Sequence, residues 1–154
     1  MSSPAERLAA LGLTLPPVTA PVAAYVPAVR TGSYVYVSGQ LPVVDGKLPA
    51  TGKVGDAVSA QDAAGMARTC ALNALAAAAD AAGGLDAIVR IVKVLGFVAS
   101  APGFNGQPQV VNGASELLIE VLGEAGRHAR SAVGVAELPL DAPVEVELIA
   151  EVRA

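Results

Sequence analysis

The clearest structural pattern in this chain of 154 residues is Val144-Glu145-Val146-Glu147-Leu148-Ile149-Ala150, close to its end. Aliphatic side chains at every second position from Val144 to Leu148 alternate with Glu145 and Glu147. Successive side chains of a β-strand point to opposite faces of a sheet. The alternation therefore predicts a strand with one face in a core and the other face carrying acids.

The rest of the chain predicts the other elements. They are a short helix at 4–11, strands at 23–30 and 34–38, helices at 59–83 and 108–122, and strands at 88–100, 131–138 and 144–153. Ser59 followed by Asp62 resembles a capping box that opens the long Ala-rich helix, and Gly83 and Gly84 would end it. Apart from the first helix, the order is β-β-α-β-α-β-β.

This order predicts an α+β fold in which one mixed sheet carries both long helices on one face. Val35 and Val37 should share one face, with Tyr34 and Tyr36 on the other. The chain has no third layer to cover the second face. Burial by other subunits would remove apolar area from water at roughly 25 cal/mol per Å². We therefore expect a closed homo-oligomer.

Length and composition limit the possible classes of protein. With 154 residues, 53% of them hydrophobic and 16% charged, the chain suits a single domain over residues 1–154, and residues 1–20 lie outside the main pattern as an N-terminal extension. A net charge of -4 disfavours nucleic acid as a partner. No window offers ~20 uninterrupted apolar residues, so we expect a cytoplasmic protein with no membrane partner.

Few residues offer metal or nucleophile chemistry. The only cysteine, Cys70, lies among alanines and is expected to be a small core residue. The only histidine, His128, is expected in a loop at a helix exit, with its pKa lowered if Arg127 and Arg130 lie close. A disulfide scaffold is excluded, and no metal site is predicted.

Three segments occur in an order that resembles a known family. They are Pro21 to Arg30, Ser38 to Pro42, and Ala129 to Ser131 running into Glu137 to Pro139. With the closing strand, they resemble the reactive intermediate deaminase family (RidA/YjgF) over about residues 20–154. The resemblance implies a chorismate-mutase-like fold of the bacillus type and a homotrimer with sites between subunits. It also implies hydrolysis of 2-imino or enamino acids to 2-keto acids and ammonia, without a cofactor.

The resemblance also implies the roles of particular residues. Arg130 would bind the carboxylate of a small-molecule substrate, and Glu145 would orient a water molecule. Tyr25 would be the third catalytic residue and would close the cleft or donate to substrate or water. Ser38, Gly39 and Asn112 match substrate-binding positions of the pocket. Ala132 stands where the family commonly has a cysteine, which removes any role for a thiol. The N-terminus and the loop Ala101 to Gln109 are longer than in compact members, as expected of a divergent branch.

Plainer interpretations of these residues stay open. Arg130 could form a surface ion pair with Glu124 or another acid, and Glu145 could lie on a solvated sheet edge. Tyr25 could serve packing alone, and a β-bulge would explain Ser38 followed by Gly39. At the level of function, the alternatives to a deaminase are a non-catalytic carboxylate-binding or regulatory trimer and, third, a ribonuclease.

The distance between the two charged site residues raises a geometric question. If the last two strands formed a hairpin centred near Leu140, Glu145 would lie opposite Val135 or Ala136. Arg130 would then be about five residues, or ~17 Å, further along. Either the strands pair in another way, or the two residues meet a ligand with the help of a neighbouring subunit.

Overall fold

The computed structural model describes all 154 residues. The helices are α1 (Pro4–Ala10), α2 (Ala60–Ala82) and α3 (Gln107–Leu122), and the strands are β1 (Ala28–Thr31), β2 (Tyr34–Gln40), β3 (Ile88–Ala99), β4 (Ala129–Val135) and β5 (Val144–Val152). Single 3-10 turns lie at Leu85–Ala87, Gly123–Gly126 and Pro139–Asp141. The predicted order of elements is confirmed.

One five-stranded sheet has the order β1-β2-β5-β3-β4. Only β3 and β4 run parallel, and the other pairs are antiparallel. Helix α2 packs on β2 and β5, and α3 packs on β3 and β4. The α+β class with a mixed sheet and two packed helices is confirmed, and β5 is its central strand.

A hairpin between the last two strands is wrong, because β3 lies between β4 and β5. The chain leaves β3, crosses the sheet through α3 and returns as the parallel strand β4. A parallel pair needs such a crossover connection. Strand β5 then enters the gap between β2 and β3. Of the two possibilities left open above, the strands do pair in another way.

Two predicted strands are shorter than expected at one end. The first begins at Ala28 and not at residue 23, because residues 22–26 form an exposed bend and Pro27 has no N–H to donate to a ladder. Strand β4 ends at Val135 and not at residue 138. The chain turns away there through Leu140 and Asp141, both in the left-handed region with φ of 59°.

Helix α2 has the ends that its sequence predicts. The Ser59 hydroxyl accepts a hydrogen bond from the Asp62 backbone N–H at 3.1 Å. Gly83 ends the helix with φ of 90°, in the left-handed region that favours glycine. The face turned inward is lined mainly by alanines, so α3 can pack close to the α2 backbone. At the closest point, Gly113 of α3 lies against the backbone of Ala64.

The core lies between the sheet and the helices, and the far side of the sheet is open. Along β5 the side chains alternate between buried and half-buried, as the quoted stretch predicts. Val35 and Val37 are buried, whereas Tyr36 is 48% exposed. A groove of about 280 Å³ crosses the open face between Tyr36, Leu95 and Glu147. No helix combines the length and apolar character needed to cross a membrane.

We expect Gly113→Ala to lower the free energy of unfolding by about 1–3 kcal/mol, because a Cβ at this position would overlap the carbonyl group of Ala64. Urea titration at a fixed protein concentration would measure the change. Gly65→Ala is the matched control, since it is also a helical glycine but a Cβ there meets nothing within 4 Å. It should raise stability by about 0.5–1 kcal/mol. Equal effects of the two substitutions would contradict the close helix approach.

Candidate functional site

Arg130 projects from β4 toward the helix layer. It is aligned with Val94 of β3, which is fully buried against the helices. One terminal nitrogen, Nη1, donates to Asn112 Oδ1 at 2.7 Å and to Ser115 Oγ at 3.2 Å. The other, Nη2, donates to the Pro108 carbonyl at 3.4 Å. The first three turns of α3 thus hold the guanidinium group from one side.

These contacts leave donors of the guanidinium group without a partner. An arginine side chain has five N–H donors in a planar fork. Nη1 has two acceptors and Nη2 has one, so at least the Nε–H and one N–H of Nη2 remain. No carboxylate pairs with Arg130, and Glu124 instead binds Arg127 at 3.0 Å. The ion pair of Arg130 with Glu124 is therefore wrong, and the cation keeps two donors for a ligand.

Two further residues, Ser115 and His128, lie behind Arg130 and help to hold it. The sequence did not indicate this role for either residue. Ser115 lies three positions after Asn112 on α3, so both face the same side of the helix. Its hydroxyl lies 2.9 Å from His128 Nε2, and His128 Nδ1 lies 2.6 Å from the Gly126 carbonyl. The i, i+3 spacing from Asn112 is the signal that could have identified Ser115.

His128 lies between the 3-10 turn and β4, as predicted, but it is not a free loop side chain. Burial lowers its pKa most, a hydrogen bond with the Gly126 carbonyl opposes that shift, and the positive charge of Arg130 lowers it further. The predicted effect of Arg130 is therefore present, although burial is the larger cause. A lowered pKa favours the neutral imidazole at neutral pH.

Glu145 lies on the opposite, open face of the sheet. It is aligned with Phe97 of β3, and its neighbours along β5 point into the core. Its carboxylate occupies the space above Gly39 where any other residue would carry a Cβ. Burial, and to a lesser extent the charge of Glu147, raises the pKa of Glu145. Such a half-buried carboxyl group can exchange protons closer to neutral pH than an exposed one.

Ser38 lies in an irregular part of β2, and Tyr25 lies in the exposed bend before β1. The pairing of β2 with β5 is irregular between Val37 and Gln40, so the expected bulge is present. The Ser38 hydroxyl donates to the Val26 carbonyl at 2.6 Å and so ties the exposed bend to β2. Tyr25, in that bend, is 58% exposed, and its hydroxyl makes no hydrogen bond. No hydrogen bond joins Tyr25 to Arg130 or to Glu145.

The candidate site is therefore in two halves. Arg130 and Asn112 are together on the helix face of the sheet, and Glu145 and Gly39 are together on its open face. Strand β3 separates the two strands that carry the charged residues. A single small ligand cannot contact both charged groups within one copy of the chain.

The remaining groups offer no second centre of this kind. Cys70 is fully buried in α2, as expected of a core residue, and its Sγ lies 3.8 Å from the Val144 carbonyl. Burial, and then the charge of Glu145, raises the pKa of the Cys70 thiol. The structure contains no group of three or more His, Cys, Asp or Glu side chains placed to hold a metal ion.

Comparison with known proteins gives consistent matches over the whole chain. The family model described as "YjgF/chorismate_mutase-like, putative endoribonuclease" matches residues 5–152. Protein TCP17 of Trypanosoma cruzi is 44% identical over 150 residues, which cover 97% of this chain and 94% of that protein.

Solved structures fall into two groups by similarity. Atu1372 of Agrobacterium tumefaciens, a protein of unknown function, is 49% identical with a TM-score of 0.89 over 96% of this chain and 91% of its own. A protein of Shewanella oneidensis described as a putative endoribonuclease is 36% identical, with a TM-score of 0.93 over 98% and 100%. TdcF of E. coli, solved with bound serine, is 31% identical, with a TM-score of 0.65 over 89% and 94%.

We expect Gly39→Ala to lower the free energy of unfolding by no more than about 1 kcal/mol, because the new methyl group would displace the Glu145 carboxylate, which is the end of a flexible side chain. The φ of Gly39 is not positive, so alanine adds no backbone strain there. In the Glu145→Ala background the same change should cost at least about 0.5 kcal/mol less. A double-mutant cycle of urea titrations measures the difference, and a coupling of zero would place Glu145 elsewhere.

Proposed function

The chain belongs to the YjgF/chorismate-mutase-like family, and from that premise we propose that it hydrolyses small 2-imino or enamino acids to 2-keto acids and ammonia. The observation that carries the proposal is the pair of free donors on Arg130. Its Nε–H and one N–H of Nη2 make no hydrogen bond within the chain, and a guanidinium group can offer two N–H donors to the two oxygens of a carboxylate. The bound serine of TdcF supports a ligand of this class, because serine carries an α-carboxylate.

The reaction requires little of the protein beyond positioning the substrate, the water molecule and a group that transfers protons. Water adds to the carbon of the C=N bond, and the resulting aminoalcohol loses ammonia to leave the keto group. Glu145 carries one proton of the attacking water to the imine nitrogen as the aminoalcohol forms. It then carries the hydroxyl proton to the same nitrogen as the C–N bond breaks, so both protons of one water molecule leave on ammonia. A raised pKa suits a carboxyl group that must first accept and then donate a proton. The imine is reactive by itself, so positioning supplies much of the acceleration.

A complete site requires a second copy of the chain. Arg130 and Glu145 project from opposite faces of the sheet, so one ligand can reach both only when a neighbour contributes one of them. The open face offers the surface for this assembly, since Tyr36 and Val133 are exposed on it. We propose a homotrimer in which the helix-side edge of one subunit meets the open face of the next, with a small carboxylate as the ligand between them.

Two alternatives remain as outcomes of the tests. A trimer that binds small carboxylates without turnover would keep the Arg130 cluster and have a regulatory role. Endoribonuclease activity is favoured by the descriptions of the family and of the Shewanella relative. A net charge of -4 argues against it, because RNA binding relies on cationic side chains. The single histidine also argues against it, because the chain then has no pair of histidines.

We expect Arg130→Ala to lower kcat/KM for 2-imino acids by about 100-fold or more, since two charge-assisted hydrogen bonds to the substrate are lost. An amino-acid oxidase supplies the imine, and its decay is followed with and without the protein. Arg127→Ala is the matched control, because this exposed arginine binds only Glu124 through its side chain. Unchanged thermal unfolding would show that Arg130→Ala still folds. Full turnover by this variant would contradict the assignment.

Wild-type protein that leaves imine decay unchanged but binds 2-keto acids would support the non-catalytic trimer. Cleavage of a defined RNA by wild-type protein, lost in Arg130→Ala, would support the ribonuclease. Each assay is run on the same preparations of wild-type protein, Arg130→Ala and Arg127→Ala.

We expect mixed oligomers of Arg130→Ala and Glu145→Gln subunits to regain activity that neither variant has alone. In a ring of three, an equal mixture gives about a quarter of the sites an intact arginine from one subunit and an intact glutamate from its neighbour. The two variants are unfolded together, refolded and assayed for imine decay. Light scattering measures the mass of each oligomer. Absence of recovery in verified mixed trimers would contradict a site shared between copies.

A further inference from the structure

We propose that Ser115 and His128 are positioning residues that hold the guanidinium group of Arg130 in the orientation that receives the substrate carboxylate. The inference rests on the proposed function, because it concerns the same arginine. It adds two residues that lie behind Arg130 and do not themselves contact the ligand. The chain of contacts runs from the Gly126 carbonyl through His128 and Ser115 to Arg130.

The hydrogen-bond partners along this path of contacts determine where each proton lies. The Gly126 carbonyl can only accept, so His128 Nδ1, 2.6 Å away, must carry a proton. The neutral imidazole then has no proton on Nε2. Ser115 Oγ, 2.9 Å from Nε2, must therefore donate its proton to His128. The lone pairs of the hydroxyl oxygen are left to accept the N–H of Arg130 Nη1 at 3.2 Å.

This arrangement holds Arg130 through two acceptors on Nη1. Asn112 Oδ1 and Ser115 Oγ both accept from this nitrogen, and they lie one helical turn apart on α3. Two contacts on one nitrogen define the plane of the guanidinium group as well as its position. A long side chain that is ordered before binding loses less conformational entropy when the ligand arrives.

The imidazole also suits this place because it is neutral. Burial and the positive charge of Arg130 both lower the pKa of His128. A neutral side chain directs the Ser115 hydroxyl without placing a second positive charge behind the guanidinium group. The nearby charges of Arg127 and Glu124 are paired with each other on the surface.

The test compares Ser115→Ala with wild-type protein in substrate turnover and in binding of a 2-keto acid, here pyruvate. We expect KM for the imine and Kd for pyruvate to rise by about fivefold to tenfold, the factor for one ordinary hydrogen bond, because Ser115 affects the ligand only through Arg130. The value of kcat should stay within about twofold, because the reacting atoms are untouched. Ser115→Thr, which keeps the hydroxyl, should restore both constants.

His128 is tested by a matched pair of variants. His128→Gln offers an amide oxygen that can accept the Ser115 proton, and it should bind pyruvate nearly as wild-type protein does. His128→Leu offers no acceptor and should weaken binding as Ser115→Ala does. The double variant Ser115→Ala/His128→Leu should be no weaker than Ser115→Ala alone, because the two residues act through one contact. Glu116→Ala, on an exposed position of α3, is the control for changes in the helix.

Nuclear magnetic resonance of nitrogen-15 gives a readout that is independent of activity. In wild-type protein we expect a proton on His128 Nδ1 and none on Nε2, with separate signals for the two Nη atoms of Arg130. In Ser115→Ala the two Nη signals should merge as rotation of the group becomes faster. Identical Arg130 signals together with unchanged pyruvate binding in Ser115→Ala would overturn the proposal.

The same experiments separate this inference from the proposed function. If no preparation hydrolyses imines, but pyruvate binding weakens in Ser115→Ala, the positioning role stands and the deaminase fails. If wild-type protein does not bind pyruvate, the nitrogen-15 signals of Arg130 alone test the positioning role. Merged signals in Ser115→Ala then support the positioning role, and unchanged signals overturn it.

Discussion

The alternation of side chains along β5 constrains the whole molecule. This strand lies at the centre of the sheet, between β2 and β3, so its apolar residues must face the two helices and its acids must face away. A shift of one residue would turn Glu145, Glu147 and Glu151 into the core, at the cost of desolvating three carboxylates. The register of the neighbouring strands follows from β5, and with it the positions of both halves of the candidate site.

The same sheet keeps two opposite charges apart. Opposite charges that lie close together pair with each other, and a paired group is less available to a ligand. The sheet separates them, so Arg130 is held by uncharged acceptors and Glu145 lies beside Gly39 and another acid. An unpaired cation and a carboxyl group with a raised pKa are features that binding and proton transfer require. Assembly of copies is then the simplest way to bring the two together.

The N-terminal extension packs against the rest of the domain. Leu8 of α1 is buried against α3, and the Ala5 N–H donates to Asp86 Oδ1 at 3.1 Å. Arg7 lies over Gly123, at the end of α3. TM-scores of 0.89 and 0.93 to the Agrobacterium and Shewanella proteins, against 0.65 to TdcF, agree with a longer branch of the family. Because α1 packs on α3, the extension supports the helix that holds Arg130.

Local patterns determined much of this fold. The caps of α2, the alternation of β5 and the order of elements could be read from neighbouring residues, because helix ends and strand faces depend on interactions over a few positions. The family resemblance, in turn, singled out Arg130 and Glu145. Contacts between distant segments decided the rest. Strand pairing decided that β5 lies between β2 and β3 and that the two charged residues lie on opposite faces. The position of α3 over β4 decided the path from Gly126 through His128 and Ser115 to Arg130. No local pattern encodes these, because they join residues that only the folded chain brings together.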